Sequence, residues 1–268
     1  MGRSINPVRG PRHRRGSRLR RLASNGVKVV GLGGIGTVLL PTLCRMLSGC
    51  TDKVTLTLVD GDFYERENET RQSFRSLGPK AEVKRRELAP AFRRLNFKHR
   101  NAYVNAENVG EIIRENDTVF LCVDNHKTRK IVSDHCRALR NVTLISGGND
   151  LTDGNVQVYI RQSGKNITTP LDAFHPEIAN PQDRAPDDPG CEEAIAAGNT
   201  QLLIANAAAA FSMLLNFWRI EEGLTDEIGE TYFTLPKGLI QTFSRSVKGK
   251  EVKQCKNKKQ RRGKSRER

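Results

Sequence analysis

The sequence predicts an α/β fold, a doubly wound, mostly parallel sheet with helices on both faces, carried between flexible basic tails. Three observations predict it. Short β-branched runs alternate with stretches of helical periodicity, a glycine-rich turn joins the first such run to the first helix, and positive charge is concentrated at the two ends of the chain. A chain of 268 residues, 37% hydrophobic and 28% charged, has the material for one large core diluted by polar segments.

The elements follow in order. Val27-Lys28-Val29-Val30 is the first strand and stops at Gly31-Leu32-Gly33-Gly34-Ile35-Gly36. Ile35, Val38, Leu39, Leu43, Met46 and Leu47 then recur at helical spacing. Pro41 removes one intrahelical hydrogen bond and predicts a kink, and Gly49 ends the helix. Residues 54–59 supply the next strand and close a β-α-β unit, whose right-handed crossover makes its strands parallel. A second unit is expected as a strand at 102–104, a helix at 106–115, a strand at 118–123, a helix at 127–139 and a strand at 142–146. Beyond Gly147-Gly148, residues 155–161 alternate as a half-exposed strand does. The Pro, Asp and Asn content of 170–190 predicts an irregular loop. An apolar helix near 201–220 and a last strand at 232–235 or 239–243 complete the body.

Charge sets the domain limits. Residues 1–21 hold eight arginines and no acid, a local charge of +8, and residues 245–268 hold twelve Lys/Arg against Glu251 and Glu267, a local charge of +10. With +15 for the whole chain, residues 22–244 carry −3 and read as one folded domain between two disordered basic tails. Such runs are solvated and can touch nucleic acid or anionic lipid without sequence preference. No apolar stretch of signal-peptide type follows the first arginines, so a cytoplasmic location is expected. The six cysteines (Cys44, Cys50, Cys122, Cys136, Cys191, Cys255) form no C-x-x-C pair, which argues against a structural zinc site and a disulfide framework. The apolar stretch 202–220 approaches membrane-spanning length. Asn206, Ser212, Asn216 and Arg219 interrupt it, and a buried or subunit-interface helix is expected instead of a membrane span.

Gly31, Gly33 and Gly36 match G-x-G-x-x-G after a strand and at the start of a helix, with Gly34 inside the same Rossmann-like turn. Bare backbone there lets N–H groups approach a phosphate at the helix N-terminus. This pattern admits either a dinucleotide or ATP. Asp60 ends the second strand, where an acid hydrogen-bonds a ribose hydroxyl in both classes. The segment that follows, Asp60-Gly61-Asp62 through Asn68, Arg71 and Gln72 to Lys80, separates them. Hydride transfer has no use for its cations, whereas a triphosphate attacked at its α-phosphorus needs cations to take up developing charge. Asp124, at the end of the strand at 118–123, adds a carboxylate able to hold Mg²⁺.

Taken together, the glycine turn, the Asp60-x-Asp62 pair, Asn68-x-x-Arg71-Gln72, Lys80-Ala81 and Cys122-Val123-Asp124-Asn125 followed by Arg129 resemble the ThiF, MoeB and ubiquitin-activating-enzyme superfamily of ATP-dependent adenylyltransferases. The resemblance implies that Gly31, Gly33, Gly34, Gly36, Asp60 and Asp62 lie with ATP, that Asn68, Arg71 and Lys80 bind its phosphates, and that Asp124 binds Mg²⁺. Arg71, Lys80 and Asp124 are then the catalytic set. The spacing from Arg71 to Lys80 is shorter than usual in that superfamily, which leaves Lys84 as a second lysine for the role. The two zinc-binding cysteine pairs of its bacterial sulfur-carrier branch are absent from the sequence.

The implied reaction adenylates the C-terminal carboxylate of a small ubiquitin-like or sulfur-carrier protein and releases pyrophosphate, in a homodimer. Arg18, Arg20 and Arg21 are placed by position to reach a neighbouring subunit. Activation of a carboxylate on a modified tRNA is an alternative that the basic tails favour. A non-catalytic nucleotide-binding partner subunit is another, against which the retained cations and Asp124 argue. The resemblance also implies that Cys191 can accept the activated acyl group as a thioester. Its neighbours Asp187, Asp188, Glu192 and Glu193 disfavour a thiolate, and an ordinary loop cysteine is expected.

Overall fold

The computed structural model describes residues 26–50, 52–66, 69, 72–183, 186, 203–225 and 227–247. The first β-branched run becomes β1 (Gly26–Val30), fully flanked on both edges: it pairs in parallel with β2 (Thr55–Val59) and with β6 (Asp117–Leu121). β5 (Asn96–Arg100) extends the sheet beyond β2, and β7 (Val142–Asn149) extends it beyond β6, both in parallel. From β7 onward the ladder turns antiparallel through β8 (Asp153–Gln162), β10 (Gly229–Thr234) and β11 (Leu239–Ser244), with β9 (Lys165–Asn166) against β8. The order β11-β10-β8-β7-β6-β1-β2-β5 is the mostly parallel, doubly wound sheet that the sequence predicts.

Alternate side chains of the buried strands feed two cores, one on each face. α1 (Gly34–Ser48) and α6 (Leu203–Glu221) cover one face, with Leu39, Leu40, Leu43, Met213 and Phe217 packed on Val27, Val29, Leu56, Leu58, Phe120 and Ile145. α3 (Val109–Ile112), α4 (His126–Ala138) and α5 (Pro176–Ala179) cover the other, over Val59, Val119, Leu121, Leu144 and Tyr159. α1 runs without interruption through Pro41. By length and composition α6 is apolar enough to cross a membrane. Half of it is buried against α1, β7 and β8, as a core helix is, while Ile204 and Phe211 stay exposed on its outer side.

Several expectations are corrected. The strand expected at 102–104 is absent there. The edge strand is β5, whose sequence Asn-Phe-Lys-His-Arg lacks β-branched residues and alternates exposed and half-buried positions. The helix expected at 106–115 contracts to α3, because Asn105 and Asn108 spend their side chains on backbone N–H groups: Asn105 Oδ1 accepts from Glu107 and Asn108, and Asn108 Oδ1 accepts from Asn105. α2 (Lys80–Leu88) gives no periodic apolar signal, since Ala81 and Val83 are its main buried apolar residues. The two alternatives for a last strand both exist, as a hairpin of β10 and β11 with Gly238 left-handed (φ 57°) at the turn. Within 170–190 a helical turn at Leu171–Ala173 and α5 are ordered.

One charged cluster ties that segment to the sheet. His175, just before α5, donates through Nδ1 to Glu177 (2.7 Å) and through Nε2 to Glu230 of β10 (2.5 Å). Glu230 also accepts from Arg245 (3.2 and 3.0 Å), whose guanidinium lies 4.1 Å from the Phe174 ring centre. The chain stays attached here past β11, as Arg245 N–H donates to Ile228 and Val247 N–H to Ile167.

Candidate functional site

The carboxyl ends of β1 and β6 lie side by side where the winding reverses, which is where open α/β sheets bind ligands. The glycine turn sits at the end of β1. Gly31 has φ +89°, and a Cβ on it would stand 2.8 Å from the Cys122 carbonyl carbon. A Cβ on Gly36 would stand 2.2 Å from the Gly31 oxygen. These two glycines let backbone pass backbone. Gly33 differs: it caps α1 without a side-chain hydrogen bond, and a Cβ on it would meet nothing within 4 Å. The first turn of α1 holds no acid and no side-chain cap, so among the described residues the positive end of its dipole is not offset by a carboxylate on its own turn.

Asp60, the next residue after β2, fixes this turn. Its Oδ2 accepts from Leu32 N–H (2.5 Å) and its Oδ1 from Asp62 N–H (2.8 Å). Burial pushes its carboxyl pKa up, against the pull of the Lys80 charge and those two backbone hydrogen bonds. Each oxygen keeps one lone pair for a ligand.

A short antiparallel ladder, β3 (Phe63–Tyr64) on β4 (Gly78–Pro79), brings the start of α2 back to the end of β2. That is how Lys80 reaches Asp62: its Nζ lies 2.8 Å from Asp62 Oδ2, with the lysine side chain nearly buried and the aspartate half exposed. Tyr103 donates its hydroxyl to Asp62 Oδ1, and its ring lies over Gly61, where a Cβ would come within 2.6 Å of it. Lys84 is committed elsewhere. It donates to Ser73 O and to Glu87 (2.8 Å) and lies 4.2 Å from the Phe74 ring centre, so of the two lysines it is Lys80 that stands beside Asp60 and Asp62.

Across the crevice Asp124 is exposed at the end of β6. Asn125 caps α4 by accepting from Thr128 N–H (2.8 Å), and Asp183 accepts from the backbone N–H groups of His126 (2.5 Å) and Lys127 (3.1 Å). Arg129 is buried and donates to Val123 O (2.9 Å) and Gly147 O (3.2 Å), joining the ends of β6 and β7. Burial pulls its pKa down and the Asp124 charge opposes that shift. Among the described residues no group of three or more His, Cys, Asp or Glu is placed to hold a metal ion.

The structure thus brings Gly31, Gly33, Gly34, Gly36, Asp60, Asp62, Lys80 and Asp124 to the carboxyl ends of the neighbouring strands β2, β1 and β6. Asn68, Arg71, Cys191, Cys255, Arg18, Arg20 and Arg21 lie outside the described residues. Cys44, Cys122 and Cys136 are buried thiols pushed up to about 12, and Cys50 to about 11, so none of the four is a nucleophile at neutral pH. Sequence reading missed Tyr103, Asp183 and Asn206. The last, whose amide lies against Gly34, had stood out only as a polar interruption of an apolar helix.

Against this geometry, a family model described as the ThiF family matches residues 8–256. The adenylyltransferase and sulfurtransferase MOCS3 of Drosophila ananassae is 34% identical over 148 residues, 54% of this chain and 32% of its own length. The protein of the same name from Mus musculus is 35% identical over 148 residues, 54% of this chain and 31% of its own. The aligned stretch therefore spans about a third of those relatives. Among solved structures, E. coli MccB with MccA-N7isoASN superposes with a TM-score of 0.64 at 16% identity, covering 84% of this chain and 65% of that one. E. coli MccB with ATP superposes at 0.62 and 17%, over 84% and 65%. At these identities the likeness is one of fold.

Proposed function

Since this chain belongs to the ThiF family, we propose that it is an ATP-dependent adenylyltransferase that activates the C-terminal carboxylate of a small ubiquitin-like or sulfur-carrier protein. The observation that carries the reading is the uncapped α1 N-terminus with open space at Gly33, set beside a buried Lys80. That cradle fits a phosphate chain, and the pairing of lysine with acid fits nothing a nicotinamide needs.

In the proposed reaction a carboxylate oxygen of the acceptor bonds to the α-phosphorus, the bond from that phosphorus to the β-bridging oxygen breaks, and pyrophosphate leaves. The attacking group is already ionised, so no general base is required. Asp60 holds the glycine turn in register and offers its spare lone pairs to the ribose. The α1 N–H groups and Lys80, shared until then with Asp62, take up charge on the phosphates. Arg71 and Asn68 act with them by the family resemblance. Asp124 would hold Mg²⁺ together with phosphate and water oxygens, and the ion would neutralise part of the triphosphate charge.

A second copy of the chain is proposed to pack on the exposed Ile204 and Phe211 of α6. The basic ends favour, as a second reading, a carboxylate on a modified tRNA.

Pyrophosphate exchange into ATP, measured with candidate acceptors, tests the reading. Exchange that depends on a small protein ending in a free carboxylate is expected, and Asp124→Ala or Arg71→Ala should lower it by about 10²-fold without unfolding the chain. Exchange that responds only to tRNA moves the assignment to the second reading. NAD binding tighter than ATP by calorimetry would overturn both.

A further inference from the structure

Asn206 stands in the first described turn of α6 and is fully buried. Neither its Nδ2 nor its Oδ1 has a hydrogen-bond partner. The other buried asparagine of the same helix differs at its nitrogen: Asn216 Oδ1 is also unpaired, but its Nδ2 donates to Ser212 O (2.9 Å) and Thr231 Oγ1 (3.1 Å). A buried amide with both ends unpaired is rare in a folded protein and points to a partner supplied from outside.

Its position says where that partner comes from. The Asn206 amide lies directly against Gly34, the first residue of α1. A Cβ on Gly34 would stand 2.3 Å from Nδ2, 2.6 Å from Cγ and 2.8 Å from Oδ1. Gly34 is therefore the residue whose missing side chain admits the amide to the start of α1. α6 delivers a neutral donor to a helix N-terminus that already presents unpaired N–H groups, no acid and no side-chain cap. A donor added to an array of donors suits an oxyanion.

We infer that Asn206 binds the nucleotide's phosphate chain, its Nδ2 donating to a phosphate oxygen seated at the N-terminus of α1. The inference rests on the reading of the site as an ATP site. It assigns to α6 a part in nucleotide binding and explains why the turn carries glycine at position 34 as well as at 31, 33 and 36.

The test compares two probes on the full chain by calorimetry, ATP with Mg²⁺ and adenosine, together with the thermal midpoint of the nucleotide-free protein. For Asn206→Leu, similar in volume and without polar atoms, ATP affinity should fall about tenfold or more, adenosine affinity should be unchanged, and the midpoint should hold or rise because an unpaired buried amide is gone. Equal weakening of both probes would mean that Asn206 only packs α6 against α1, and unchanged ATP affinity would mean that it is a buried defect. Either result overturns the inference and leaves the adenylation reading standing. Wild-type protein that binds no ATP overturns both. Should the leucine variant fail to fold, Asn206→Asp keeps the shape and adds a charge of the same sign as the phosphates; it must weaken ATP far more than adenosine, or the inference falls.

Discussion

At the scale of single residues, two glycines of one motif have different work, and substitution should separate them. A methyl group at position 36 overlaps the Gly31 carbonyl oxygen, so Gly36→Ala must shift the turn and should cost about 1–3 kcal/mol of stability along with nucleotide binding. Position 33 has room. Gly33→Ala should leave the urea midpoint nearly unchanged while lowering ATP affinity roughly tenfold, because the methyl stands where phosphate must approach. If both variants lose stability equally, the open space at Gly33 is not the ligand's. The glycines and Asp60 stood out in the sequence because each sits at a fixed offset from a strand end, whereas the role of Lys80 came from the family resemblance. Tyr103 and Asn206 were not, since each reaches the site from a distant part of the chain and neither belongs to a local pattern.

Among elements, the link between α5 and β10 depends on the charge of one imidazole. Burial disfavours the charged ring of His175, but hydrogen bonds and charge from Glu230 and Glu177 outweigh it, and its pKa is raised above 6.5. Glu230, desolvated yet held by His175, Tyr232 and Arg245, is lowered from 4.5 to about 2. The histidine's contribution is complete below pH 6.5 and is lost as pH rises through its raised folded value. That of Glu230 is complete above pH 4.5 and is lost as pH falls toward 2. Stability from this cluster should therefore be greatest between about pH 4.5 and 6.5 and decline on the alkaline side. Urea midpoints against pH should show that decline in the wild-type protein and not in His175→Gln. Subtracting the two curves removes the buried Asp60 and Asp117, whose raised carboxyls titrate in both. This cluster was opaque to sequence reading, as were α2 and β5. Six of the nine residues of α2 are charged, and β5 sits on an edge where one half-buried face demands no β-branched run.

For the whole molecule, topology was the most legible property, because parallel strands need helical crossovers and those crossovers leave a 3.6-residue period between β-branched runs. Legibility declined toward the β5 margin, where a charged helix and a strand without β-branched residues leave no period to read, and at the hairpin of β10 and β11, whose two strands read as alternatives until paired. The order β11-β10-β8-β7-β6-β1-β2-β5 has a further consequence. β1 is hydrogen-bonded along both edges and has five strands of the sheet's main path on one side, β6, β7, β8, β10 and β11, with β2 and β5 on the other. Thermal opening starts at margins, where amides have one neighbour or none, and reaches the middle only when the rest of the sheet has come apart. In hydrogen–deuterium exchange, the amides of Val27, Val29 and Val30 should be among the last to label, and those of β5 and β11 among the first. The backbone that carries the glycine turn is then rooted in the slowest-opening part of the protein, and the candidate site should keep its shape through every partial unfolding short of the global one. Exchange at β1 as fast as at β11 would show that the middle of the sheet opens on its own.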